Sequence, residues 1–196
     1  NKVDIKCDTL NYATVYVGGL IGNANGCTMT NCRNEGNITS NAAYVGGVVG
    51  QAEAISGCVN SGIVTITTSS DTVKTAYCGG VAGNVTSSTI SNCHNNGAIY
   101  INKKSSSDSY YGGVFGLANS NVSNCSNTGA ITCAVMSNTK SIFVGGIVGC
   151  NTSSSEVTML NCYNEGDIVC MEDETNRYVG GLLGYDKRMS IKNSYA

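Results

Sequence analysis

Short apolar runs alternate with polar spacers along the whole chain, and the runs recur in two fixed phrases. The first occurs six times: YVGGLIG at 16–22, YVGGVVG at 44–50, YCGGVAG at 77–83, YYGGVFG at 110–116, FVGGIVG at 143–149 and YVGGLLG at 178–184. Its leading glycines are Gly18, Gly46, Gly79, Gly112, Gly145 and Gly180, so the steps are 28, 33, 33, 33 and 35 residues. The second phrase, apolar-x-x-Cys-x-Asn-x-Gly-x-apolar, lies between copies of the first. Its apolar column is Met29, Ile55, Ile90, Val122 and Met159, and its Cys column is Cys32, Cys58, Cys93, Cys125 and Cys162. Asn34, Asn60, Asn95, Asn127 and Asn164 follow two residues after each Cys, and Gly36, Gly62, Gly97, Gly129 and Gly166 four after. Ile38, Val64, Ile99, Ile131 and Ile168 follow six after. Beyond that point the pattern alternates: Ile99 and Ile101 flank Tyr100, and Val64 and Ile66 flank Thr65, which is the two-residue period of a half-buried strand. Helix is opposed by recurrent glycine pairs, dense β-branching and the lack of a 3.6-residue period.

Fixed apolar segments, variable polar spacers and a period near 33 predict stacked coils. The expected fold is all-β: a right-handed parallel β-solenoid (β-helix) of about six coils of about 33 residues with three short strands each, forming one domain over 1–196. Handedness follows the chirality of parallel crossovers. One strand is expected around the Gly-Gly phrase, one ending at the Cys and one after the following Gly. Columns of the sequence then become ladders with rungs about 4.8 Å apart. A mixed ladder, Cys7, Ser40, Ile66, Ile101, Cys133 and Cys170, joins the Cys and Ile columns. Cys suits a narrow corner that needs a small apolar side chain. The Asn column is expected at a turn, tolerating left-handed backbone and bonding amide to amide between coils. The glycine two residues later supplies positive φ or a close approach. Residues 1–7 align with 164–170, and 191–196 align with 159–164, with Ser194 in the Cys place. We therefore expect a segment of a longer array, with unpaired end strands suited to end-to-end self-association.

Composition narrows the chemistry. Lys and Arg total 11 and Asp and Glu 13, a net charge of −2 that opposes nucleic-acid binding. No apolar run is long enough to insert in a membrane. Eleven cysteines cannot all pair within the chain; with no Cys-x-x-Cys and one His, a zinc site lacks ligands and buried free thiols are expected. Gly-Gly-x-x-Gly lacks the Gly-Lys-Ser/Thr of a phosphate loop. Strand alternation aims His94 outward, to solvent. Glu172-Asp173-Glu174 is the one acidic run and lies in a spacer. Sequons at Asn37, Asn84, Asn121, Asn124 and Asn151 are expected by chance in so polar a chain. The column Lys6, Thr39, Thr65, Tyr100, Thr132 and Val169 is too irregular for an ice-binding surface. No column pairs acids with bases, so no catalytic, cofactor-binding or metal residue is assigned and no cofactor is expected.

At these phrases the sequence resembles the GLUG repeat, seen here as GGLIG, GGVVG, GGIVG and GGLLG, with NCYNEGDIV at 161–169 also similar. Cys78 and Tyr111 depart from the usual Val before Gly-Gly, and Ala82 and Phe115 vary the inner apolar slot. The resemblance implies a parallel β-solenoid from large bacterial surface or secreted proteins, including adhesin-like proteins and a non-catalytic region of an immunoglobulin A protease. The expected function is a non-enzymatic stalk or adhesin scaffold, extracellular, on the cell surface or secreted. Its partners would be a host glycan or protein, or neighbouring domains. The alternative is a carbohydrate-active parallel β-helix enzyme or its accessory domain. Recognition is expected on a ridge of variable loops, 68–75, 102–109, 134–141 and 171–177, because insertions between in-phase strands leave along one corner.

Overall fold

The computed structural model describes residues 1–8, 14–67, 75–86, 90–102, 107–134, 140–171 and 176–196. Among them the regular structure is entirely strand, and strands pair in parallel with their equivalents one period away. The result is the expected β-solenoid. An isoleucine sheet holds Ile5–Cys7, Ile38–Ser40, Val64–Ile66, Ile99–Ile101, Ile131–Cys133 and Ile168–Cys170 in chain order. Its register aligns Ile38, Val64, Ile99, Ile131 and Ile168, so this sequence column is a physical ladder. A tyrosine sheet holds Tyr16–Gly18, Tyr44–Gly46, Ala76–Gly79, Ser109–Gly112, Ile142–Gly145 and Arg177–Gly180. An asparagine sheet is built of two-residue strands, Arg33–Asn34, Val59–Asn60, His94–Asn95, Ser126–Asn127 and Tyr163–Asn164. In the fourth, long sheet, Ile21–Thr30 and Val49–Ser56 cross the face unbroken, whereas later coils divide it, as in Phe115–Ala118 and Val122–Ser123.

Each coil thus has more than the three strands expected, because the Gly-Gly phrase is two strands with a bend between them. The bend requires glycine. A Cβ on Gly79 would strike the Ala82 and Val114 carbonyl oxygens, and one on Gly80 would strike the Asn95 side chain and the Gly113 carbonyl. The tyrosine sheet and the long sheet are drawn together at a separation that no side chain permits.

A second bend falls immediately before the Cys column. Asn31, Asn92, Asn124, Asn161 and Asn193 have φ between 47° and 54°, and Gly57 takes the same column with φ 63°. Asn and Gly are the residues that tolerate this left-handed conformation. The Asn column after the Cys, expected at such a turn, instead lies in short strands with its side chains buried. The glycines after it have no positive φ: a Cβ on Gly97 would strike the Gly62 carbonyl of the preceding coil, so close approach is the reason for glycine there.

Two apolar cores fill the coils. One gathers Met29, Val49, Ala52, Ile55, Val85, Ile90, Phe115 and Met159 with the Cys column. The other lies between the isoleucine and tyrosine sheets and holds Val17, Val45, Ile66, Ile101, Tyr111, Ile131 and Val144. End coils have a neighbour on one side only: Val179 is 49% exposed where its stacked equivalent Val144 is fully buried.

Candidate functional site

Three side-chain rows run the length of the stack. The first is an amide ladder. Asn1 Nδ2 donates to Asn34 Oδ1, Asn34 to Asn60, Asn60 to Asn95, Asn95 to Asn127 and Asn127 to Asn164, all at 2.8–2.9 Å. The second hydrogen of each of the five repeat amides goes to the carbonyl two residues on, as from Asn95 to Gly97 at 2.8 Å. Both hydrogens and the oxygen of each central amide are engaged, as its burial demands.

The second row is the Cys column. Cys58, Cys93, Cys125 and Cys162 are fully buried as expected, while Cys32, also expected to be buried, is half-buried. The thiols donate to carbonyls two residues back: Cys93 to Ser91 at 3.3 Å and Cys125 to Ser123 at 3.2 Å. The Cys93 backbone N–H also donates to Cys125 Sγ on the next rung at 3.4 Å. Desolvation pushes the Cys125 thiol well up. All eleven cysteines are free thiols.

The third row was missed in the sequence. Tyr16, Tyr44, Tyr77, Tyr110, Phe143 and Tyr178 stack ring on ring with centroids 4.6–5.2 Å apart. Their faces cover one another, so the row presents edges and hydroxyls outward rather than a platform. Burial holds the Tyr77 and Tyr110 phenols up at about 12, so both remain donors at neutral pH. Beside the row lies a groove of about 330 Å³ whose described lining, Thr14, Ala43, Tyr44, Thr75, Tyr77 and Ser107, is rich in hydroxyls.

Residues 13–39 match the family model of the GLUG motif. The chain carries a GLUG motif. No curated protein and no solved structure matches the chain. The matched GLUG segment contains the first Gly-Gly bend, the left-handed Asn31, the half-buried Cys32, Asn34 of the amide ladder and Ile38. Its paired glycines Gly18 and Gly19 permit close approach of the Ile21 and Gly47 carbonyls.

The remaining candidate residues are mostly engaged structurally. His94 is half-buried rather than simply solvated, because its Nδ1 lies 2.7 Å from Ser126 Oγ on the next coil, and Ser126 is itself buried. The sequon amides carry structural bonds: Asn37 Oδ1 accepts from Ile63 N, Asn121 Oδ1 from Thr158 N, and Asn151 Nδ2 donates to Asp186. A second groove of about 340 Å³ joins Glu156, Asp186, Arg188, Met189 and Ser190. Both Asp186 oxygens are occupied there, by Asn151 Nδ2 and Met189 N at 3.0 Å. Glu172-Asp173-Glu174 and half or more of each expected ridge loop lie outside the described residues. Among the described residues no three His, Cys, Asp or Glu side chains converge as a metal site, and no helix is long and apolar enough to cross a membrane.

Proposed function

We propose that this chain is a non-enzymatic repeat module of a surface or secreted protein, a stalk or adhesin scaffold that holds binding segments at fixed spacing. The observation that supports it most is the arrangement at one corner of the coils. Each variable spacer leaves the isoleucine sheet and re-enters the tyrosine sheet, and both sheets keep strict register on either side. Length variation is thereby absorbed at the corner while the coils stay in phase, which suits display on a rigid frame.

The ligand class we infer is a neutral, hydroxyl-rich glycan. The groove by Tyr44 and Tyr77 opens at this corner, and the hydroxyls of its described lining match such a ligand. The test is a glycan array probed with the whole chain, followed by the same array with residues 102–109 replaced by a short turn and with Tyr77→Phe. Binding that falls in both variants, with unchanged circular dichroism, supports the reading. Absence of glycan binding, or binding indifferent to both changes, overturns it.

A further inference from the structure

We propose that the row Cys32, Cys58, Cys93, Cys125 and Cys162 binds monovalent soft cations of the copper(I) and silver(I) class, one ion between two successive rungs in alternate gaps. Spacing is the first reason. Thiolate sulfur sits about 2.3 Å from a zinc ion and comparably close to copper(I). Two such bonds in line span about 4.6 Å, close to the roughly 4.8 Å rise between parallel strands. The residues flanking the column hold that rise strictly: Ser56, Ser91 and Ser123 pair on one side, and Val59, His94 and Ser126 on the other. Ions of this class accept two collinear sulfurs, so a row suffices where zinc would need four converging ligands. A row is what these thiols form.

Ligand chemistry is the second reason. Soft sulfur ligands select copper(I) over hard cations. The column lies among Met29, Ile55, Ile90, Val122 and Met159, with thioethers near both ends and no oxygen anion among them. Charge is the third. Each entering ion replaces one thiol proton, which leaves to solvent; the new thiolate and the neighbouring thiol's sulfur lone pair hold the ion from either side, and the next gap stays empty because one sulfur cannot hold two ions in line. One positive charge enters and one leaves, so the row stays neutral inside an apolar core, which an unpaired thiolate would not. No electron is transferred.

The test uses the reduced full chain carrying Cys27→Ser, which removes the one fully exposed thiol, titrated with silver nitrate in chloride-free buffer. Native mass spectrometry counts ions, and X-ray absorption reports their neighbours. In this row of five sulfurs two ions fit in alternate gaps, and a Cys93→Ser/Cys125→Ser variant keeps only the Cys32–Cys58 pair. One ion fewer on that variant, and two sulfur neighbours per ion on the parent, are expected. Serine fits such a rung: Ser194 occupies the Cys place and donates to the Lys192 carbonyl at 2.8 Å, as the thiols do. An equal ion count in parent and variant overturns the proposal. So does a parent shell dominated by oxygen or nitrogen, which needs no variant to fold, or uptake that occurs only as the β-sheet signal is lost.

Discussion

Replacing Asn95 with alanine removes the centre of the amide ladder. Three hydrogen bonds go at once: from Asn60 at 2.9 Å, to Asn127 at 2.8 Å and to the Gly97 carbonyl at 2.8 Å. Asn95 is fully buried, so the three abandoned partners have no bulk water to turn to. Each orphaned buried group costs about 1–3 kcal/mol, so the expected loss for three is about 3–9 kcal/mol, a large part of a typical domain's 5–15 kcal/mol. Asn95→Asp keeps the shape but exchanges two donors for acceptors, setting a carboxylate against two oxygens. Its folded pKa is therefore raised, so its stability is retained at low pH and lost as pH rises. Urea melts at pH 7 and at about pH 4 measure both variants, with the slope checking that the unfolding unit is unchanged. Expected are a larger loss for Asp than for Ala at pH 7, partial recovery of Asp in acid, and a loss below about 1 kcal/mol for exposed Asn1→Ala. An Asn95→Ala loss below about 1 kcal/mol, or an Asp variant as stable as the parent at pH 7, would refute the reasoning.

Gly80→Ala should abolish folding or cost more than about 4 kcal/mol, because its Cβ meets Asn95 and the Gly113 backbone, whereas Gly26→Ala, in open space at φ 77°, should cost about 1 kcal/mol; solubility and thermal melts distinguish them. Cys93→Asp should destabilise by several kcal/mol, since it sets a carboxylate at a fully buried rung among apolar groups and thiols that donate weakly, as urea melts will show. Alkaline titration should unfold the chain. Cys125 and Tyr111 are raised above their ordinary values of 9.0 and 10.0, mainly by desolvation, so the stability they support is full below about pH 9 and lost as pH rises further; a circular-dichroism pH series reads it.

The apolar columns were legible because strand alternation has a period of two and the offsets between Cys, Gly and Ile never vary. The Gly-Gly bend was not, since its cause is the backbone of another sheet, brought there only by folding. The two Asn columns on either side of Cys are the same residue type, and tolerance of left-handed backbone fits either. Gly57 held the distinguishing signal: glycine replaces Asn only in the column before Cys, the exchange that a positive φ permits. The aromatic stack was equally visible as six rings at one position of one phrase. The thiol row was expected, but the half-burial of Cys32 was not.

In this stack the backbone and amide hydrogen bonds that join coils point along the axis, so tension between the two ends opens them one rung at a time instead of shearing many together. Each rung that peels away releases about 33 residues, or roughly 110 Å of extended chain, in place of a few ångströms of stack. A tether built this way yields in long steps at modest force and rewinds on its neighbour when the load is removed.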